Sequence, residues 1–143
     1  MQPYHFFEVN NKIEINNSDY TLLNFKLGSV FLSDQYVITH FNEGIDISYD
    51  NFYEIGIAIK SHFKGQPFGY IANRENAYSI NLNDAHHFNE AFPNLKAYAV
   101  VCNSLFGKGV FEIENHFFES NRRIFKDLDE AINWTKDILN SIT

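Results

Sequence analysis

Polar and basic residues follow two apolar runs of the chain, at places where a ligand could be held. Asn73 and Arg74 come directly after the run Pro-Phe-Gly-Tyr-Ile-Ala. Asn103 and Ser104 come directly after Ala-Tyr-Ala-Val-Val-Cys. In open α/β sheets, ligands bind beyond the carboxyl ends of parallel strands, where a helix start adds free N–H groups. These four residues therefore predict a site for a small ligand, with Arg74 holding a carboxylate or a phosphate. The alternative is that Arg74 pairs with Glu75 or another nearby acid, and that the Asn-Ser pair only caps a helix.

Catalytic and metal-binding chemistry find less support. Cys102 precedes a helix start, which can activate a thiol, but no paired motif supplies the base that a catalytic cysteine needs. A small core residue is the favoured interpretation. His86 with Glu90, and Glu112 with His116, are each one helical turn apart. Each pair supplies two ligands, whereas a protein metal site usually needs three or more. We therefore predict no catalytic residue, no metal site and no cofactor.

Composition and charge narrow the class of protein. Hydrophobic residues make up 45% and charged residues 20% of the 143 residues, which is typical of a globular domain. The net charge is −7 and the only adjacent basic pair is Arg122-Arg123, so no nucleic-acid surface is expected. The single cysteine excludes an intramolecular disulfide. With no signal-peptide pattern and no apolar run long enough to span a membrane, we expect a cytoplasmic protein.

The first forty or so residues predict an antiparallel meander of strands. The expected strands are residues 4–9, 12–15, 22–31 and 36–42. Asn10-Asn11 predicts a turn, and the polar residues 16–19 predict a break between strands.

Two segments carry clear helix signals. Ser48 can cap the first helix and Gly65 can end it, and its apolar face is Phe52, Ile55, Ile59 and Phe63. Asp127 and Glu130 form a capping box at the start of the last helix. Its apolar face is Leu128, Ala131, Ile132, Thr135, Ile138, Leu139 and Ile142.

Two further helices are predicted between these. The second helix would start at Asn83 and end at Pro93, with Ala85, Phe88 and Phe92 as its apolar residues. The third helix would place Phe106, Val110, Ile113 and Phe117 on one stripe, and we expect Phe106 and Phe117 to pack on the sheet. If Phe111 or Phe118 is exposed, the third helix offers a surface to a partner. Gly107 and Gly109 lower its helix propensity and allow either close packing or a break near residue 107.

The order of elements predicts an α/β fold. Residues 67–72 and 97–102 are apolar enough for buried strands, and 123–125 is a brief last strand. Strands alternating with helices indicate right-handed crossovers and a largely parallel sheet. We predict a single domain over residues 1–143, with N-terminal antiparallel strands followed by βαβα units in a mixed sheet.

This pattern resembles the SpoIIAA-like, or STAS, domains, and in particular a branch of small uncharacterised bacterial proteins. The resemblance is carried by the segment Tyr-Ile-Ala-Asn-Arg at 70–74, by Tyr78-Ser79, by the strand 97–102 and by the closing segment 125–134. It covers most of the chain, and it implies a SpoIIAA-like fold with a distant likeness in shape to CRAL-TRIO lipid-transfer domains.

One departure from the STAS pattern bears on function. STAS regulators carry a phosphorylatable Ser or Thr after an Asp, at the start of the helix that follows the third strand. The corresponding residues here, 72–79, read Ala-Asn-Arg-Glu-Asn-Ala-Tyr-Ser and contain no Asp-Ser or Asp-Thr pair. The kinase switch therefore does not carry over, and Ser79 remains only as a candidate ligand-binding residue.

Three functions stay open at this point. The first is a non-enzymatic regulatory or protein-interaction module that binds a protein partner or forms a homodimer. The second is a carrier or sensor of a small apolar or anionic ligand near Arg74 and Asn103, in keeping with the 17% aromatic content and the CRAL-TRIO likeness. An enzyme ranks third. The first predicts an exposed apolar patch, the second a lined cavity of a few hundred Å³, and the third perturbed titrating groups in a cleft.

Overall fold

The computed structural model describes residues 3–7 and 14–142. Its helices are α1 (Tyr49–Phe63), α2 (Ala85–Ala91), α3 (Leu105–Glu114) and α4 (Leu128–Ser141), and a short 3-10 turn (Leu82–Asp84) precedes α2. Its strands are β1 (Pro3–Phe7), β2 (Glu14–Phe25), β3 (Gly28–Leu32), β4 (Tyr36–Phe41), β5 (Asp46–Ile47), β6 (Phe68–Asn73), β7 (Ser79–Ile80), β8 (Leu95–Val101) and β9 (Arg122–Phe125).

Seven of the described strands form one mixed sheet in the order β1-β2-β3-β4-β6-β8-β9. The pairings among β1, β2, β3 and β4 are antiparallel. The pairings among β4, β6, β8 and β9 are parallel. β5 and β7 form a separate two-stranded parallel sheet. The predicted α/β class, with antiparallel N-terminal strands followed by parallel βα units, is confirmed.

Helices cover both faces of the large sheet. The buried apolar side chains of α1 and Phe111 of α3 form one hydrophobic cluster with β3, β4, β6 and β8, and the partly buried Phe88 of α2 packs against it. The opposite face packs on α4, whose Ala131 lies fully buried among side chains such as Ile38, Ile71 and Ala99. A sheet covered on both faces requires apolar runs in its central strands, and every residue of β6 is buried.

α1 forms as its sequence predicts. The Ser48 hydroxyl accepts a hydrogen bond from the Asn51 N–H, and the Asn51 side chain accepts one from the Ser48 N–H. The predicted apolar face is buried in the core. The helix ends where Lys64 and then Gly65 adopt positive φ angles of 51° and 81°, because a left-handed residue breaks the helical hydrogen-bond series.

α4 is also confirmed. The Asp127 carboxylate accepts a hydrogen bond from the Glu130 N–H and so caps the helix. Ala131, Thr135 and Leu139 are its buried residues. Ile142, predicted on the same face, is exposed because the helix ends at Ser141.

The predicted N-terminal strands need correction. No break occurs at residues 16–19, because β2 continues through them and the ladder with β1 shifts register between Pro3 and His5. The single predicted strand 22–31 is a hairpin of β2 and β3. Gly28 opens β3 at a φ of 147°, and a Cβ there would collide with the backbone of His40 and Phe41. The predicted turn at Asn10-Asn11 lies outside the described residues.

Two helix predictions were wrong in detail. The side chain that caps the 3-10 turn before α2 is Asn81, which accepts from the Asn83 N–H, so Asn83 is not the cap. α3 is rotated from its predicted orientation: Phe111 is buried, whereas Phe106 and Phe117 are exposed. The reason is that α3 turns the carboxylate of Glu114 inward to meet two arginines.

Among the residues that the structure describes, no helix has the length and hydropathy needed to cross a membrane.

Candidate functional site

A cavity of about 260 Å³ lies between the large sheet and the helices α1 and α2. β6 and β8 form its floor, the small sheet of β5 and β7 closes one side, and the loop from α3 to β9 closes another. Aromatic side chains dominate the lining: Phe52, Phe68, Phe88, Phe92, Phe118, Tyr70, Tyr78 and Tyr98. Apolar walls of this kind with a few polar groups are typical of small-molecule sites.

Three tyrosines, Tyr70, Tyr78 and Tyr98, line this apolar space. Tyr70 on β6 and Tyr98 on β8 are partners in the parallel register, and their rings stack 4.9 Å apart at 3°. Burial raises the pKa of Tyr70 and of Tyr78 above the ordinary phenol value. Both phenols therefore stay protonated at neutral pH, where they donate and accept hydrogen bonds and carry no charge.

Arg122 is the charged residue buried in the cavity wall. Its side chain is only 4% exposed, although it stands at the start of the edge strand β9. The guanidinium lies 4.3 Å from the centre of the Tyr98 ring and 5.0 Å from that of Phe118. Nε donates a hydrogen bond to the Asn115 side chain at 2.8 Å. Burial lowers the pKa of Arg122, yet an arginine keeps its proton throughout the physiological range.

Glu114 binds two arginines at once. Its carboxylate makes a two-point ion pair with Arg74, at 2.9 and 3.1 Å, and lies 3.1 Å from Nη2 of Arg122. All three side chains are at most 6% exposed. The cluster therefore holds two buried positive charges against one negative charge. Buried charge is costly unless it is balanced, so this cluster favours an anion beside Arg122.

Asn89 tethers the loop that closes the cavity. From α2, its amide nitrogen donates to the Phe117 carbonyl at 3.0 Å, and its amide oxygen accepts from the Glu119 N–H at 3.1 Å. The tether holds Phe118 in the cavity wall, 6.4 Å from the Phe88 ring. Glu119 lines the cavity and is itself exposed, so the cavity reaches the surface at this loop.

The predicted ligand-binding residues lie elsewhere. Asn73 is buried and donates to the Glu75 carboxylate at 3.2 Å. The Arg74 N–H donates to the Val101 carbonyl, which places Asn73 and Arg74 beside the end of β8, as expected for parallel strands. Arg74 is engaged by Glu114, as the alternative interpretation held for a nearby acid.

The other three predicted residues have local roles. The Ser104 hydroxyl caps α3 by accepting from the Gly107 N–H at 2.9 Å, and Asn103 beside it is exposed. The Ser79 hydroxyl donates to the Asp46 carboxylate at 2.6 Å, across the small sheet. None of the five predicted residues lines the cavity, although Arg74 contacts two residues that do: its guanidinium lies 5.1 Å from the centre of the Tyr78 ring, and its Nη2 donates to the Tyr98 hydroxyl at 3.5 Å.

Cys102 packs against the start of α3. It is buried, and a Cβ on Gly107 would collide with its sulfur, so Gly107 permits close packing of α3 on the sheet. In the described part of the chain, no three His, Cys, Asp or Glu side chains are grouped so that they could hold a metal ion.

Sequence reasoning missed Arg122 and Glu114. In the sequence, Arg122 stands out only as part of a basic pair, and Glu114 looks like an ordinary surface residue of an amphipathic helix. The spacing of residues along α3 could have indicated that Glu114 faces inward. Glu114 lies four positions after Val110 and three after Phe111, so it is on the same side of the helix as Gly107, which packs on the sheet.

Comparison with known proteins bears on the fold. No protein-family model and no curated protein matches this sequence. The structure is similar to the crystal structure of an uncharacterized protein of the DUF3478 family, with a SpoIIAA-like fold, from Shewanella loihica PV-4. The similarity covers 81% of this chain and 91% of that chain, with a TM-score of 0.51 and 10% identity.

The chain has a SpoIIAA-like fold. The resemblance drawn from the sequence is confirmed at the level of fold. At 10% identity the likeness shows the SpoIIAA-like fold alone, so function must be argued from the cavity and its residues.

Proposed function

We propose that this protein is a carrier or sensor that binds a small molecule with an apolar, ring-sized body and one anionic group. The observation that carries the proposal is the position of Arg122, a buried cation in the wall of an aromatic cavity of about 260 Å³. A lined cavity of this size is the feature that the sequence led us to expect of a carrier.

The size of the cavity sets the size of the ligand. A cavity of roughly 150 Å³ is enough to bind benzene. The larger space here, lined by rings from α1, α2 and the sheet, fits a body somewhat larger than one ring. Ring edges and faces presented by Phe52, Phe88 and Phe92 favour an aromatic body, because offset and edge-to-face contacts add to the gain from burial.

The charge of the ligand follows from the buried cluster. Glu114 neutralises one of two arginines, and Arg122 is the arginine that lines the cavity. A ligand carboxylate beside Arg122 would balance the second charge. The negative charge of Glu119 at the rim would repel such a carboxylate, but Glu119 is exposed to water, which screens its charge.

The protonation states of the titrating groups in the cavity fit a protein that binds a ligand without catalysing a reaction. A general base must accept a proton near the working pH. Tyr70 and Tyr78 have raised pKa values and Arg122 stays charged, so the pKa shifts of these groups leave each in its ordinary protonation state at neutral pH. These groups are suited to recognise and orient a ligand.

Calorimetric titration with a matched pair of probes tests the proposal. 2-Naphthoate and 2-naphthalenemethanol share one apolar body and differ in charge. We expect 2-naphthoate to bind about tenfold more tightly, as one charge-assisted hydrogen bond would give. Equal affinity for the two probes, or no binding of either at millimolar concentration, would contradict the proposal.

Two neighbouring arginines supply a matched pair of variants. Arg122→Gln leaves Arg74 and Glu114 as a balanced pair, so the fold should persist while the preference for 2-naphthoate disappears. Arg123→Gln changes an exposed residue beside it that does not line the cavity, and should leave both affinities unchanged. An equal loss of affinity for 2-naphthoate in both variants would indicate a general electrostatic effect and would count against a site at Arg122.

A further inference from the structure

The outward face of α3 and the segment after it expose large apolar side chains. Leu105 is 86% exposed, Phe106 75%, Ile113 56% and Phe117 45%. Phe106, Ile113 and Phe117 recur at helical spacing, so they lie along one side of the helix, opposite the buried Phe111. A contiguous apolar stripe of this kind marks an interaction surface.

Gly109 lies in the middle of that stripe. A Cβ built on Gly109 would meet nothing within 4 Å, so this position faces open space. Its neighbour Gly107 faces inward, where a Cβ would collide with the sulfur of Cys102. The close packing of α3 on the sheet therefore explains Gly107 but does not explain Gly109. A glycine on an outward face lets a second helix approach closely.

We propose that α3 is the interface of a homodimer in which two copies of the helix pack antiparallel, crossing at Gly109. A two-fold interface must be self-complementary, because the same patch faces itself. In this arrangement Phe106 of each copy packs against Ile113 of the second copy, since the two residues lie at nearly equal distances on either side of the crossing. The proposal does not rest on ligand binding.

Charge complementarity favours a second copy of this chain as the partner of α3. Lys108 and Glu112 lie on the same flank of the helix, on either side of the crossing. An antiparallel pair therefore brings Lys108 of each copy to Glu112 of the second copy, forming two ion pairs. Within the described chain neither residue makes an ion pair, and lysine four positions before glutamate is the weaker orientation along a single helix.

An anionic membrane fits this stripe less well. The chain carries a net charge of −7, and the helix from Leu105 to Glu114 has Lys108 as its one lysine or arginine, against two glutamates. An amphipathic helix that lies on an anionic surface carries several basic residues on its polar face.

Sedimentation analysis of charge-reversed variants tests the dimer. Lys108→Glu sets a new glutamate against Glu112 across the interface, and Glu112→Lys places two lysines together. We expect each variant alone to dissociate at least about tenfold more readily than the unmodified protein. Mixed together, the two variants should form a heterodimer with one copy of each, because every cross-interface pair is then of opposite charge. The doubly reversed protein should form a homodimer again.

Matched controls separate this interface from other associations. Phe106→Glu should yield a monomer with unchanged circular dichroism, because Phe106 is exposed within one chain. Ile57→Glu, at an exposed apolar residue of α1, should remain a dimer. A monomeric unmodified protein at about 100 µM, a dimer that Phe106→Glu leaves intact, or charge-reversed variants that fail to restore each other would overturn the proposal. A monomer that binds phosphatidylcholine vesicles would overturn it too, and would assign the stripe to a lipid surface.

Discussion

The carboxylate of Glu114 lies 3.1 Å from Nη2 of Arg122, so an ion pair joins helix α3 to strand β9 inside the protein. The same carboxylate holds Arg74 at the end of β6. This one residue therefore fixes the rotation of α3, and with it which side chains face the cavity and which face solvent.

Replacing Glu114 by glutamine should destabilise the protein by about 3–5 kcal/mol, because two buried arginines lose their counter-charge. Adding Arg122→Gln to Glu114→Gln should restore part of the loss, since only one buried cation then remains. Urea unfolding followed by circular dichroism measures both effects. Glu54→Gln, at an exposed position of α1, is the control and should change stability by less than about 0.5 kcal/mol. If the losses in unfolding free energy from the two substitutions simply add in the double variant, the three charges do not act as one cluster.

Stability should fall at alkaline pH because of buried tyrosines. Burial is the largest cause that raises the pKa of Tyr20, Tyr70 and Tyr78 in the folded protein. In the unfolded chain they ionise at about pH 10. Their contribution to stability is therefore complete below pH 10, and is lost as the pH rises from there toward the folded-state pKa values, because only the unfolded state releases these protons.

Unfolding free energies measured from neutral pH to strongly alkaline pH check this expectation. Tyr78→Phe should flatten the alkaline loss, because one group that ionises only on unfolding is removed. The absorbance of phenolate should show a group of tyrosines that titrates together with loss of structure. Smooth titration of all tyrosines while the fold persists would contradict the burial of these hydroxyls.

The Asn89 tether should control the exchange of ligand. Asn89→Ala removes both hydrogen bonds that hold the loop from α3 to β9 against α2. We expect the dissociation rate of 2-naphthoate to rise by about tenfold, with a loss of stability of about 1 kcal/mol. Stopped-flow fluorescence measures the rate. Asn42→Ala removes a comparable exposed hydrogen bond, to the Lys26 carbonyl in the β2–β3 hairpin, and should leave the rate unchanged.

Gly107 should tolerate no side chain while Cys102 is present. In Gly107→Ala the new Cβ would collide with the Cys102 sulfur, and we expect a loss of about 1–3 kcal/mol from overpacking. Cys102→Ala removes that sulfur, so the double variant should be more stable than the sum of the two single losses predicts. Thermal unfolding of the four proteins measures the coupling, and strict additivity would mean that α3 does not pack on Cys102 as described.

The elements that the sequence predicted well are those with independent local signals. α1 has a capping serine, apolar residues at gaps of three and four, and a left-handed end at Lys64 and Gly65. α4 has its capping aspartate and a long apolar stripe. These signals agree with one another, and each depends only on nearby residues, so sequence alone determines the outcome.

α3 shows where such reasoning failed. Its strongest apolar stripe, which includes Phe106 and Phe117, faces solvent, and its inward face includes a glutamate. Periodicity assumes that the apolar face packs on the core, but here two arginines brought by other strands determine which face turns inward. Those long-range pairings are invisible in the local sequence.

The candidate site was likewise beyond local reasoning. Arg122 lines the cavity because Tyr98 is its partner across the β8–β9 ladder, a pairing that joins residues 24 positions apart. Arg74, which the sequence did single out, belongs to the same charge cluster and contacts Tyr78 and Tyr98 of the cavity wall, but it does not itself line the cavity.

A crystal structure of the protein with 2-naphthoate would show directly whether Arg122 binds the anionic group of a ligand in the cavity. We expect the rings of the ligand to lie among Phe52, Phe88 and Tyr98 in the cavity, with the carboxylate within hydrogen-bond distance of the Arg122 guanidinium. A ligand bound outside this cavity, or inside it with its carboxylate directed away from Arg122, would contradict the account.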